Sequence, residues 1–407
     1  MGSGRRHDSE AESDGAPTRN DAELSQFDFG GYEENTIEMR DLSEEDRKTA
    51  SAVGYGLDAD SSVAGTYMQI DNEGFLAEVL GQPRGLEVMT LNEAVSRHSW
   101  LKNYLWNAVS SSTDSYTQAS KRARYNGYFI RASAGAKIDL PVQSCLMIKR
   151  GGIAQNVHNI VIAEEGSELH VITGCTTPGV SEPSLHIGIS EFYVKRNAKL
   201  SFTMIHRWSD QVDVRPRSAI VVEENGTYVS NYVILSAAKS IQTSPRVILG
   251  GKHAHADLYS VIYGSGRSSY DIGGALVLRG TGSNGRIISR AIATEHADIV
   301  ARGEIVGETD GVKARLECNG LIVSDTARIR AIPILEALAQ GVELSHEATV
   351  GRIGADQLNY LMSRGLTEDE ATSLVIGGFI RLTSPGLPRS IQQYIDDAIR
   401  MTIEKSV

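Results

Sequence analysis

What most constrains this chain is a unit of strand, tight turn and strand that recurs from position 126 to 345. Clear instances are Ile160-Val161-Ile162-Ala163 before and Leu169-His170-Val171 after Glu164-Glu165-Gly166, Phe192-Tyr193-Val194 and Leu200-Ser201-Phe202 around Asn197-Ala198, and Ala219 to Val229 around Asn225-Gly226. β-Branched and aromatic residues fill the arms, and small or turn-forming residues punctuate them. With Gly166, Ala198, Gly226 and Gly251 taken as equivalent turns, the unit repeats irregularly at roughly 25 to 32 residues, the range of solenoid repeats. One unit cannot enclose a core. Stacked as rungs of a parallel β-helix, the units pair their backbones and bury their inward residues in one continuous column. A mainly β fold built on a parallel β-helix is therefore expected, with a β-sandwich as the alternative.

The flanks read differently. Residues 1–34 are polar and acidic and bury too little apolar surface to offset their ordering entropy, so they are expected as a disordered tail. Residues 35–125 are expected as an N-terminal helical region. A short helix starts after the cap Ser43, and a longer one spans residues 91 to 108, with Thr90 as cap and Glu93 at the reciprocal capping-box position. The aromatics Trp100, Tyr104 and Trp106 are assigned to packing. Residues 346–407 return to helical spacing, with segments near 354 to 364, 367 to 382 and 388 to 404, separated by Gly365 and by Pro385-Gly386-Leu387-Pro388.

Net charge is −11 and the pI about 5.5, which gives no basic footprint for nucleic acid. Three cysteines do not make a disulfide framework, the first residues lead into no apolar signal core, and no apolar run reaches membrane-spanning length. A cytoplasmic protein with reduced thiols is expected.

Where the β pattern ends stands Ser345-His346-Glu347-Ala348-Thr349-Val350-Gly351-Arg352-Ile353-Gly354. Upstream of His346, by a separation close to the spacing of the turns, lies Cys318 in Glu317-Cys318-Asn319-Gly320. Residues one rung apart stack at about 4.8 Å, so this spacing predicts Cys318 and His346 as neighbours. A thiolate, an imidazole and the Glu347 carboxylate form a ligand set for zinc or an iron–sulfur cluster. Adjacent residues of a strand face opposite ways, so His346 and Glu347 share a site only at a strand end, a bend or, as preferred here, a subunit boundary. Spacing alone equally fits a buried cysteine and a solvated His-Glu pair. His253 and His255, alternating on one strand, are read as core or rim residues, Cys145 as core, and Gly280-Thr281-Gly282-Ser283-Asn284-Gly285 as a rung-to-rung turn.

The run from Ser345 to about Gly378 closely resembles the SufB/SufD family of iron–sulfur cluster assembly scaffolds. It carries Glu347-Ala348-Thr349-Val350-Gly351-Arg352-Ile353-Gly354, Asp356-Gln357-Leu358, Leu361-Met362-Ser363-Arg364-Gly365-Leu366 and Glu370-Ala371. The likeness extends through Cys318, Gly174-Cys175-Thr176-Thr177-Pro178 and Gly127-Tyr128-Phe129-Ile130, and covers roughly residues 85 to 407. It implies a right-handed parallel β-helix flanked by helical segments, a dimer of such subunits, and C-terminal helices that dock a SufC-type ABC ATPase. The chain has no Walker A motif, so ATP chemistry falls to that partner.

By the resemblance, Cys318 and Glu347 match the SufB branch's essential cysteine and glutamate, and His346 matches the histidine that the SufD branch contributes across the dimer. Cys175 matches the position at which SufB is thought to accept sulfur from a donor. The implied cofactor is a transient iron–sulfur cluster of 4Fe–4S type, passed on to apo-proteins. One chain carrying all three ligand residues suits a homodimer as well as a SufB/SufD-type heterodimer, in a compact archaeal type of scaffold. The faces expected to bind the ATPase include Leu358, Leu361, Leu374 and Ile380. Two other functions share the architecture: a polysaccharide-active β-helix enzyme, and a purely structural partner of an ATPase in which no cluster is held.

Overall fold

The computed structural model describes residues 21–30, 35–56, 63–81, 83–123, 126–234 and 236–380. Most of the expected tail and the expected third C-terminal helix lie outside the described residues. The repeated unit builds what its pattern demands: stacked parallel strands form a β-solenoid of about 8 turns.

Left-handed backbone marks one corner of each rung. Gly135, Gly166, Asn197, Asn225, His253, Gly282, Gly311 and Gly341 all have positive φ, and they follow one another at the regular spacing of a solenoid. The turn therefore sits one residue before the expected Ala198 and Gly226 and two after the expected Gly251, with asparagine taking the conformation that glycine otherwise takes. His253 is one of these corner residues rather than a strand residue, and His255 opens the strand behind it. The His253 ring covers Gly282, the corner of the next rung, where a Cβ would collide with it.

The first sheet stacks, in order, Gly65–Ile70, Val142–Met147, Glu168–Thr176, Lys199–Arg207, Thr227–Ile234, His255–Gly264, Asn284–Ala293, Lys313–Ile322 and Glu343–Arg352. The second runs through Tyr128–Ala132, Ala154–Ala163, Ser184–Val194 and Val212–Val222 to Asp298–Gly307 and Arg328–Ala337. Between these, its strands break at Ser244-Pro245 and at Gly273-Gly274, because proline donates no ladder hydrogen bond and the glycines bring no side chain. The interior column, from Tyr128 and Val142 through Phe192, Phe202 and Tyr228 to Leu316 and Cys318, is one continuous apolar core.

The stretch expected to be helical over 35–125 is mixed. Helix α1 (Glu44–Ser51) carries the full capping box between Ser43 and Asp46, but Gly65–Ile70, Gly74–Val79 and Leu86–Thr90 are strands that cap the solenoid. Helix α2 is only Leu91–Arg97, capped by Thr90, and gives way to a 3-10 turn over Ser99–Asn103. The reason is tertiary. The buried Glu191 carboxylate accepts the backbone N–H groups of Trp106, Ala108 and Val109, which takes residues 106 to 109 out of the helix. Trp100, Tyr104 and Trp106 pack, as expected, against the second sheet. Helix α3 (Ser115–Arg122), capped by Asp114, has no counterpart in the sequence reading, whereas α4 (Ala355–Ser363) and α5 (Glu368–Ile380) fall where the C-terminal spacing puts them.

Candidate functional site

The strand Lys313–Ile322 alternates Ala314, Leu316 and Cys318 into the core with Arg315, Glu317 and Asn319 outward. Cys318 is 2% exposed, and burial, helped by Glu317 on the preceding residue, pushes its thiol up to about 11. Directly stacked on it are Ser289 on one side and Ala348 on the other. The interior column therefore reads Met204, Tyr232, Ser260, Ser289, Cys318, Ala348, one residue per rung. A cavity of about 60 Å³ lies along it, lined among others by Tyr232, Ser260 and Ser289. The thiol stands one small residue from the open end of the solenoid.

His346 lies two positions short of stacking on Cys318 and is instead the register partner of Leu316, because this rung is longer by that amount than the assumed repeat. Two steps in a strand preserve the facing, so His346 and Cys318 still point to the same interior side, their Cα atoms about 8 Å apart by strand geometry. His346 is half-buried, and its Nε2 has no hydrogen-bond partner. Glu347 faces the other way, in the middle of the regular strand Glu343–Arg352. It is stacked on Glu317, and the two carboxylates are bridged by Arg315, at 2.6 Å from Glu347 and 3.4 Å from Glu317. One subunit therefore brings Cys318 and His346 together and keeps Glu347 apart. Among the described residues no three His, Cys, Asp or Glu side chains converge as a metal site.

Cys175 sits far down the solenoid, on Glu168–Thr176, fully buried and facing the interior, with its thiol held well above the usual range by burial. Its register partners are Leu146 and His206. Cys145 is core, as expected, but on the outer side of the sheet beneath Val53 and Tyr55, and burial pushes its thiol up to about 12. His255 is committed to Asn284, at 2.6 Å, and to Asp257, at 3.3 Å; the Asp257 carboxylate raises its pKa above the ordinary imidazole value.

Of the apolar residues singled out on the C-terminal helices, Ile380 is buried with Ile376 against the first sheet, where Arg290 also donates to the Phe379 carbonyl at 2.8 Å. Leu358 and Leu361 are half-buried, and Leu374, Tyr360 and Met362 are exposed. Sequence reading missed the interior residues His206, Tyr232, Ser260 and Ser289, since a hydroxyl or imidazole in a strand carries no mark of facing inward. The signal becomes visible only when the corners are aligned.

A β-solenoid with enclosed thiols, one of them at its open end, is the class of protein that these features define. A family model for the SufBD core domain of SUF-system iron–sulfur cluster assembly matches residues 146–379. The chain is 46% identical over 360 residues to an iron–sulfur cluster assembly SufBD family protein of Archaeoglobus fulgidus, covering 88% of this chain and 94% of that one. It is 40% identical over 374 residues to the protein so named in Methanothermobacter thermautotrophicus, covering 90% of each, and 25% identical over 399 residues to that of Staphylococcus epidermidis, covering 95% and 85%. The chain belongs to the SufBD family, and its role lies in iron–sulfur cluster assembly.

Proposed function

We propose that the chain is a scaffold subunit on which a labile iron–sulfur cluster is built at a two-fold interface and then passed to apo-proteins. The observation that carries this reading is the open end beside Cys318. There the strands Glu343–Arg352 and Arg328–Ala337 each have one strand neighbour among the described residues, and Ile334, Leu335, Leu338 and Val350 are exposed around them. Unpaired strand edges with an apolar rim call for a covering surface, and a second copy of the same end supplies one. The ligands are Cys318, His346 and Glu347, with Glu347 reaching the site from the other subunit because it faces away from Cys318 in its own. Cys175 accepts the sulfur.

A SufC-type ATPase docks on α4 and α5 through Leu358, Leu361 and Leu374, with Ile380 serving to hold α5 on the solenoid. The exposure of Leu374, at 57%, supports this face. Leu374→Glu should then abolish co-purification with the ATPase while leaving the solenoid folded.

Anaerobic reconstitution with iron and sulfide, followed by absorption spectroscopy, tests the central reading. Wild type should gain a charge-transfer band and bound sulfide, and Cys318→Ser should retain less than about a tenth of it, because a hydroxyl is a poor ligand for iron. Equal iron and sulfide in the two proteins would remove Cys318 from the site.

A further inference from the structure

The last two rungs of the first sheet put two carboxylates together on its outer face. Glu317 and Glu347 are register partners, so they stack one rung apart at about 4.8 Å, a distance at which like charges repel. Arg315 stands against both. One and the same nitrogen, Nη2, lies 2.6 Å from Glu347 Oε2 and 3.4 Å from Glu317 Oε2. The two carboxylates are not equivalent. Glu317 is anchored, 21% exposed and accepting from Asn319 Nδ2 at 2.8 Å, whereas Glu347 is 64% exposed and is held by Arg315. Turning back along the ladder would bring Arg315 against its register partner Arg286, whose own guanidinium is committed to Asp257 at 2.5 and 3.0 Å. Charge repulsion therefore keeps Arg315 on the side of the two glutamates.

We propose that Arg315 is a latch on Glu347, holding the carboxylate while the scaffold is empty, yielding it to iron as the cluster is built and drawing it back as the cluster leaves. This rests on the reading of Glu347 as a ligand that completes the site of the other subunit. The exchange swaps a charge-assisted hydrogen bond for a coordinate bond. The Glu347 oxygen leaves Nη2 and donates a lone pair to iron, the guanidinium keeps its proton and its charge, and no electron is transferred.

Glu317 makes the exchange reversible. When Glu347 departs, Arg315 closes the remaining 3.4 Å to Glu317 and keeps an ion pair. Without that second carboxylate it would be left unpaired beside Arg286, and would hold Glu347 the more firmly. Arg315 and iron thus compete for one carboxylate, and the competition keeps the bound cluster labile. Arg315 is a positioning residue in this scheme and touches no iron itself.

The full chain is reconstituted anaerobically with iron and sulfide, and loss of the cluster absorption to an iron chelator is followed with time. Binding of ferrous iron to the apo-protein is measured alongside by calorimetry. Arg315→Gln removes the competitor and should slow cluster loss and tighten ferrous iron binding by about threefold, the scale of an exposed ion pair. Glu317→Gln leaves Arg315 with Glu347 alone and should shift both readouts the opposite way by about the same factor. Arg315→Lys, which keeps the charge, should stay near wild type. A merely structural role would move the two glutamine variants in the same direction. Changes of the same sign, or none, in Arg315→Gln and Glu317→Gln overturn the latch and leave the ligand reading standing. Should Arg315→Gln not fold, Glu317→Gln decides, and cluster loss at the wild-type rate overturns the latch. Wild-type iron binding and cluster content in Glu347→Gln overturn the ligand reading and the latch with it.

Discussion

At the scale of single residues, Ala348 has the most leverage on Cys318. It occupies the last position of the interior column, directly over the thiol, and its single methyl group leaves little between sulfur and the open end. Ala348 is itself exposed, so a larger residue there meets solvent rather than a packed core. Ala348→Leu should therefore leave thermal stability within about 0.5 kcal/mol of wild type, as surface substitutions do, while slowing alkylation of Cys318 and lowering the cluster loaded in reconstitution. Unchanged alkylation kinetics would mean that the thiol is reached along another path. Cys318 is singled out in the sequence by its spacing from His346 and by the family resemblance. Its real neighbours, Ser289 and Ala348, are not, because register is fixed by the exact length of every intervening corner and the corners differ in length from rung to rung.

At the scale of elements, local pattern succeeds where local forces decide and fails where a distant carboxylate decides. The strands of the solenoid, α1 with its Ser43–Asp46 box, α4 and α5 all follow from periodicity and capping. The segment from residue 91 does not. Its helix stops at Arg97, where His98 turns extended with its Nε2 at 2.7 Å from Glu87, and residues 106 to 109 are held out of any helix by Glu191, which is remote in sequence, gathers three of their backbone N–H groups and is completed by His158 Nε2 at 2.8 Å. Glu191 is fully buried, so these bonds are what offsets its desolvation. Glu191→Gln halves the acceptors and turns one of them into a donor facing other donors. A loss of about 2–3 kcal/mol is expected, with the midpoint of urea unfolding falling accordingly at unchanged slope. A midpoint equal to that of wild type would show that the loop from 104 to 110 is held by its aromatic packing instead. No sequence signal joins these residues, since nothing local distinguishes Glu191 from the solvated glutamates at the corners.

At the scale of the whole molecule, the geometry of the last strand turns the assembly question into one that can be counted. Glu343–Arg352 is regular, so Glu347 points away from the side that Cys318 and His346 share, and no rotation of a side chain brings Glu347 through its own sheet. On the reading proposed above, a site that uses both Cys318 and Glu347 takes them from different subunits, and a two-fold axis then creates two equivalent sites. Mixed dimers separate the possibilities. When one subunit carries Cys318→Ser and the other Glu347→Gln, one of the two shared sites loses both ligands and the other keeps both, so the dimer should hold about half the wild-type cluster while each homodimeric variant holds almost none. Ligands drawn from a single chain would damage both sites, and the mixed dimer would then be as empty as the homodimers. Iron and sulfide content of the three dimers, isolated through two different affinity tags, reads the difference directly, and a cluster retained in full by the Glu347→Gln homodimer would remove the carboxylate from the ligand set altogether.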